Sequence, residues 1–298
     1  MCPEQPIVVR APAKVNLYLA VGAARPDGYH DVDTVLQALS LADDVLVTPA
    51  ETLSVTTHPD IGLAAQDNLA YRAAEELAAA AGRSSDVDIR IRKRIPAQAG
   101  LGGASADAAA VLVALAHLWG LEPRETSLLL KEVAAALGAD VPFFLGSGTA
   151  LLTGRGDEIV RTLPTPQLHL ALVKVSKPVS TSQAYAEFDK MVTSTVPGPE
   201  AMVRACEGGD PREVAAALHN NLTPAAAKLV PEVADALAFL SETPGILGAM
   251  LAGSGSAVFA VCASAEVSRT TVAGARARGW WAASASTVPE GVRLMEGG

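Results

Sequence analysis

Hydrophobic positions recur along the chain with two periods, and the switches between them divide it into elements. Val87-Asp-Ile-Arg-Ile-Arg-Lys93 alternates strictly and predicts a half-buried strand, whereas Ala106–Trp119, an Ala/Val/Leu run ended by Gly120, predicts a helix. Period two over Val8–Val21 predicts a strand that turns at Pro12 and resumes, with Val15, Leu17, Leu19 and Val21 on one face and Lys14, Asn16 and Tyr18 on the other. Thr34–Ser40, Asp44–Pro49, Thr52–Thr57 and Gly148–Thr153 predict further strands, and Gly154-Arg-Gly-Asp157 an exit turn. Helices are predicted from Asp67, as N-cap, to Gly82, and over Pro123–Leu137, which Gly138 ends. The composition shifts near Leu163-Pro-Thr-Pro166, which divides the chain into 1–160 and 161–298. Beyond it come strands at Leu168–Val175, Ile246–Leu251, Val258–Cys262 and Trp280–Val288. Helices follow Lys177–Tyr185 and cover Pro211–His219, Pro231–Leu240 and Ala265–Arg278, with a loop at Val196–Pro199.

Between the strand ending at Lys93 and the helix after it lies Ile95-Pro-Ala-Gln-Ala-Gly-Leu-Gly-Gly-Ala-Ser-Ala-Asp107. Gly100, Gly102 and Gly103 let the backbone approach a ligand, and the free N–H groups of a helix N-terminus favour an anion. The stretch has no G-x-x-x-x-G-K-[ST], and Ser105 occupies the sixth position of a G-x-G-x-x-G counted from Gly100, so the two best-known nucleotide loops are excluded. A glycine-rich connector is the alternative on these residues alone.

Composition narrows the class. The chain has 298 residues, half of them hydrophobic, and a net charge of −9 that argues against a nucleic-acid partner. An anionic substrate has to be met by a local cluster of cations and amides. Met1–Pro6 lacks the pattern of a signal peptide, so a cytoplasmic protein is expected. Ile246–Ala265 carries no charge, yet Gly253-Ser-Gly255 splits it into two strand-like pieces, and no membrane span is expected. Cys2, Cys206 and Cys262 are too scattered for a disulfide framework or a zinc site.

Several polar residues fall where chemistry is done. Pro26-Asp27-Gly28 predicts a turn, after which Tyr29 and His30 sit together on a loop in a chain with 4% aromatic residues. They offer a stacking surface and hydrogen bonding for a base, or else Tyr29 packs and His30 lies on the surface. Asn68 is either a second capping residue or a contact to a nucleobase edge. Asp140 stands between a helix end and the apolar Val141–Leu145, as a structural cap or as a catalytic carboxylate whose cationic partner is Lys14.

Three separated stretches, Pro12-Ala-Lys-Val-Asn16, Pro96-Ala-Gln-Ala-Gly-Leu-Gly-Gly-Ala-Ser105 and Leu251-Ala-Gly-Ser-Gly-Ser256, resemble the three motifs of the GHMP family of small-molecule kinases, in the family's order. Gly28-Tyr-His30, Asp67-Asn-Leu69 and Gly138-Ala-Asp-Val-Pro142 are similar to the branch whose substrate carries a cytidine diphosphate group, in the non-mevalonate route to isoprenoids. The likeness runs from about residue 8 to 265. It implies an α+β, two-domain GHMP-kinase-like fold, with a ribosomal-protein-S5-like N-terminal domain, a ferredoxin-like C-terminal domain and the active site between them. It also implies ATP as co-substrate, with Mg2+, and phosphorylation of a hydroxyl on a small molecule by a monomer or homodimer.

The resemblance further implies roles for residues. Asp140 matches the catalytic aspartate and Lys14 its partner lysine. Asn68 matches the adenine-side asparagine, and Pro96, Ala97, Gln98, Ala99, Gly100, Leu101, Gly102, Gly103, Ala104, Ser105 and Ala106 match the loop around the ATP phosphates, with Ser105 a hydroxyl contact. Tyr29, His30 and Tyr185 match residues around the cytosine ring, and Asn16 and Thr181 fall among the substrate-contacting positions. No metal ligand is indicated. Ala104 stands where glycine is usual, and Ala106 and Ala252 where serine is usual. The competing readings are a homoserine or mevalonate type of kinase in the same family and a non-catalytic nucleotide sensor on the same fold.

Overall fold

The computed structural model describes residues 6–26, 28–191 and 196–295. Asp27 of the expected turn and Cys2 lie outside the described residues, as do Met1–Gln5. The chain opens with two long strands, β1 (Ile7–Ala24) and β2 (His30–Pro49), followed by β3 (Ser54–His58), α1 (Leu69–Ala81), β4 (Val87–Arg92), α2 (Gly103–Leu118), α3 (Pro123–Leu137), α4 (Val141–Phe144), β5 (Thr149–Thr153) and β6 (Glu158–Thr162). The second half runs β7 (His169–Lys174), α5 (Thr181–Phe188), α6 (Glu200–Gly208), α7 (Pro211–Ala216), β8 (His219–Asn220), α8 (Thr223–Leu229), α9 (Glu232–Glu242), β9 (Ile246–Leu251), β10 (Ala257–Cys262), α10 (Ala265–Ala277), β11 (Trp281–Ser286) and β12 (Arg293–Leu294).

Two sheets organise these elements. The larger has the order β12-β1-β2-β4-β3, with β5 also paired to β2, β6 to β5, and β8 alongside β1 in parallel. The smaller is fully antiparallel with the order β11-β7-β10-β9. Taken in chain order its strands stand fourth, first, third, second, and α10 packs on β7 and β11 while α9 packs on β9 and β10. That is the split β-α-β pattern of a ferredoxin-like domain. Ala106–Leu115 of α2 and the alanine-rich face of α1 fill one core against the large sheet. The small side chains let α1 and α2 pack closely, and a second core joins the inner part of β1 to β7 and β10.

The expected interruptions of the first two strands do not occur. β1 passes through Pro12 with only a register shift between Pro12 and Lys14, because a bulge absorbs the missing N–H. Both faces of its centre are covered, so Lys14, Asn16 and Tyr18 are buried along with their apolar neighbours. β2 runs unbroken through Asp43, which is fully buried, and it begins at His30, so His30 belongs to a strand and is buried while Tyr29 in the loop is 55% exposed. Asn68, not Asp67, is the N-cap of α1: its side chain accepts from Ala70 N at 3.0 Å, and Asp67 closes a single 3-10 turn before it. Residues 246–262 form the β9–β10 hairpin, and no helix among the described residues is long and apolar enough to cross a membrane.

Candidate active site

The three motif stretches meet along the inner side of β1, which carries the first of them. Lys14 N donates to Leu101 O at 2.9 Å and Ala257 N donates to Ala99 O at 3.0 Å, which fastens the loop 95–102 between β1 and the turn after β9. Gly100, at φ +76°, lies so close to that turn that a Cβ would come within 2.2 Å of Ala252 O. Gly102, at φ +72°, lets the Lys14 stem and Phe144 pass, since a Cβ there would meet Lys14 Cγ at 2.8 Å and Phe144 Cζ at 2.9 Å. Both glycines are required, by left-handed backbone and by space. Gly102 is also the N-cap of α2, and no side chain caps the helix, so its leading N–H groups face the cleft as an anion site.

Lys14 is buried, and its ammonium reaches Asp140 Oδ2 at 3.3 Å and donates to Asn16 Oδ1 at 3.0 Å. Asn16 Nδ2 donates to Thr34 Oγ1, which donates to Tyr18 O, so the amide is fixed in orientation. Asp140 occupies the N-cap position of α4 yet makes no capping hydrogen bond; its carboxylate is one-third exposed and turned toward Lys14. The structural-cap reading of Asp140 is therefore not met. Around this pair lies a cavity of about 330 Å³ lined by Asn16, Ser105, Thr181, Tyr185 and the Gly253–Ser254 turn, among others. Thr181 and Ser254 hydroxyls meet at 2.8 Å across its rim.

A second cleft of about 290 Å³ shares Ser105, Gly100 and Gly102 with the first and is lined by Asn68, Pro96–Ala104 and Leu69. Ala106 departs from expectation: it lines neither cleft and is fully buried in the α1/α2 core, because position four of a helix after an N-cap points back into the layer below. At the far end of the first cavity, Tyr185 lies 5.0 Å from the His30 ring, and His30 Nε2 shares a 2.7 Å hydrogen bond with Asp189 Oδ1. Burial first, and the Asp140 charge second, push the Tyr185 phenol up, so it serves as a neutral hydrogen-bonding group. Tyr29 is not with them; it lies under the Arg155 guanidinium at 5.3 Å.

Two family models match the chain, the GHMP kinases N terminal domain over residues 68–148 and the GHMP kinases C terminal domain over residues 202–275. The chain belongs to the GHMP kinase family. A relative from Pelotomaculum thermopropionicum, named 4-diphosphocytidyl-2-C-methyl-D-erythritol kinase, is 44% identical over 90% of this chain and 93% of its own length. A crystal structure of 4-(cytidine 5'-diphospho)-2C-methyl-D-erythritol kinase superposes with a TM-score of 0.79 at 34% identity, covering 94% of this chain and 98% of the other. Homoserine kinase from Cytophaga hutchinsonii shares the fold, with a TM-score of 0.75 at 20% identity, covering 99% of both chains.

Some features of this GHMP kinase's site carry no sequence motif. Beneath the second cleft, Lys93 donates to Asp43 Oδ2 and Asp107 Oδ2, each at 2.6 Å, and Asp43 Oδ1 accepts from Ile95 N at 2.9 Å and from Arg94 N. Two carboxyl groups thus share one ammonium inside the protein. Asp107 is the less supported of them, with Oδ1 buried and unpartnered among the described residues. Burial pushes its carboxyl up to about 8, against the pull of Lys93. The unfolded chain gives up that proton near ~3.9, whereas the folded protein keeps it to about 8. Stability therefore falls as pH rises through that window and levels off above it. Asp107→Asn keeps the shape without the proton, so its melting temperature should gain on the wild type's from pH 5 to pH 8. A difference that stays constant over that range would show that Asp107 holds no such proton.

Asn220 is the other silent contributor. Its Nδ2 donates to Leu251 O at 3.0 Å and Gly253 O at 2.8 Å, and its Oδ1 accepts from Leu222 N at 3.0 Å. One buried amide on β8 thus holds the turn against which Gly100 rests.

Proposed function

We infer that this GHMP kinase transfers the γ-phosphoryl group of ATP to the 2-hydroxyl of 4-diphosphocytidyl-2-C-methyl-D-erythritol, giving the 2-phosphate and ADP. The reaction belongs to isoprenoid-precursor synthesis by the non-mevalonate route, in the cytoplasm. The observation that carries this reading is one cavity lined by the Lys14–Asp140 pair and by Tyr185, whose ring packs 5.0 Å from the buried His30 ring. An acceptor hydroxyl and a nucleobase can be held there at once, next to the anion site at the start of α2.

Phosphoryl transfer asks the protein mainly for position and for stabilisation of charge on the phosphoryl oxygens. The N–H groups at the start of α2 and the loop from Pro96 to Ser105 receive the ATP phosphates, with the nucleoside toward Asn68. The substrate hydroxyl sits between Asp140 and the γ-phosphorus. As its oxygen bonds to phosphorus, its proton passes to Asp140, and the bond to the ADP oxygen breaks. Lys14 offsets the negative charge that develops at this point, and Asn16 fixes where Lys14 points. Among the described residues no cluster of three His, Cys, Asp or Glu side chains is placed to hold a metal. Magnesium would be held chiefly by the ATP phosphates, with the hydroxyl of Ser105, which lines both clefts, as a protein oxygen to join them, and would supply further charge neutralisation.

The test is ADP release with ATP and magnesium, run with the cytidyl substrate, homoserine and mevalonate side by side. Turnover only with the cytidyl substrate supports the reading; turnover with homoserine or mevalonate alone overturns it. His30→Ala removes a buried ring that Asp189 orients. It should raise KM for the cytidyl substrate about tenfold or more, in line with the loss of ~1–3 kcal/mol of hydrogen bonding, and leave KM for ATP unchanged. Equal effects on both substrates would take His30 out of base recognition.

A further inference from the structure

The Lys14–Asp140 pair joins two elements that lie far apart along the chain, β1 and the single turn α4. A four-residue helix cannot hold its own place, because it closes too few hydrogen bonds and leaves its last carbonyls without intrahelical partners. Asp140 heads this turn without capping it, so its carboxylate stands wherever α4 is held. Burial of Val141, Phe143 and Phe144 holds one side. The other side is held from the far end of the chain.

After β11, residues 287–294 cross back onto the first half of the chain as a strap, beyond the segment 202–275 that the C terminal family model matches. Val288 N donates to Ala38 O at 3.0 Å and Gly148 N donates to Pro289 O at 2.9 Å, which lays the strap beside β2 and the start of β5. Gly291 N then donates to Gly146 O at 3.0 Å and Val292 N to Phe144 O at 2.8 Å, so carbonyls at and just after the end of α4 find their donors in the strap. The approach is closest at Gly291, where a Cβ would lie 2.0 Å from Phe144 O and 2.7 Å from Phe144 C. Immediately afterwards Arg293 and Leu294 pair with Arg10 and Val9, and Met295 N donates to Val8 O at 2.8 Å. One short run of chain is thus bonded both to α4, which follows Asp140, and to β1, which carries Lys14.

We propose that the strap sets the separation of Lys14 and Asp140, with Gly291 and Val292 as positioning residues that fix α4. The proposal rests on the reading of Asp140 as the group that takes the proton of the substrate hydroxyl. Gly291 and Val292 line neither the cavity around the pair nor the second cleft, so they act through α4 alone. Misplacing a reacting group by about 1 Å can cost on the order of 10²-fold in rate. A loosened strap is therefore felt in kcat more than in affinity.

The test is a double-mutant cycle with Asp140→Asn on the full chain, assayed with ATP, magnesium and the cytidyl substrate. Gly291→Ala forces the strap and Phe144 O apart. It should lower kcat about tenfold or more and leave KM for the cytidyl substrate within about twofold of wild type, since His30 and Tyr185 stand on β2 and α5. In the Asp140→Asn background the same change should lower kcat by less than about twofold, because the group it displaces no longer takes a proton. Val292→Ala only shortens a side chain packed against the first core, and it serves where Gly291→Ala does not fold. It should lower kcat about threefold, again only where Asp140 is present. A kcat unchanged in the variants that fold, whatever their melting temperatures, overturns the proposal and leaves the proton-transfer reading standing. A loss of equal size with and without Asp140 also overturns it. A near-normal kcat in Asp140→Asn alone overturns the proton-transfer reading, and the proposal with it.

Discussion

Asp140→Asn is expected to lower kcat by about 10²–10⁴-fold, the range that a positioned general base contributes, with KM for ATP and the melting temperature close to wild type. The separation of effects follows from the local geometry. Asp140 sits at the head of α4 without capping it and is one-third exposed, so no buried hydrogen bond of the fold depends on its charge. An amide fills the same space and its oxygen can still face the Lys14 ammonium 3.3 Å away. What it cannot do is take the proton of an alcohol. Steady-state kinetics with both substrates varied, together with thermal denaturation, would check this, and a near-normal kcat would remove Asp140 from the proton transfer.

Gly100→Ala should damage nucleotide binding and stability together. The added Cβ would lie 2.2 Å from Ala252 O and 3.1 Å from Gly255 O, both backbone atoms of one turn, so no flexible side-chain end can yield. The φ of +76° adds strain for any residue with a Cβ. Forced left-handed backbone costs about 1–3 kcal/mol, and overpacking costs a similar ~1–3 kcal/mol. Relief requires the loop to lift from the turn, which carries the N–H groups of α2 away from the phosphates. KM for ATP should therefore rise at least tenfold and the melting temperature should drop by several degrees. A variant with wild-type values for both would show that the loop and the turn do not need their close approach.

The chemistry was more legible in the sequence than the fold that holds it. A strand, a glycine-rich turn and a helix could be read from Val87 to Trp119 because each obeys a local rule, and α2 begins at Gly103 within that stretch. The Lys14–Asp140 pair was legible through motif order alone, and the structure brings the two side chains together. The long strands were legible in pieces, through period two over Val8–Val21 and as Thr34–Ser40 and Asp44–Pro49, but not as continuous strands. Their centres are covered on both faces, so Pro12 and Asp43 look like breaks in sequence and are not. Asp43 looks like a turn residue in sequence, and only the distant Lys93 and the N–H groups of Arg94 and Ile95 explain its burial. β6, β8, β12, α6 and α8 were missed because they are short, and β8 and β12 owe their place to β1, far away along the chain. The N-cap of α1 was placed one residue early, at Asp67 with Asn68 as the second candidate, since the two have nearly equal capping propensity and only the 3-10 turn decides for Asn68.

β1 carries Lys14 and Asn16, and its neighbours come from opposite ends of the chain: β2 at once, β8 after more than half of it, and β12 near Met295. A polypeptide leaving the ribosome can form the β1–β2 hairpin early, and β4 and β5 soon cover the β2 side, but the β1 side stays open until β8 and then β12 have emerged. Lys14 is thus among the first residues made, while part of the framework that fixes it is among the last to close. Synthesis that stalls near residue 160 would leave β1 as a bare sheet edge, a template for aggregation, and a half-built kinase with no means of finishing its own site.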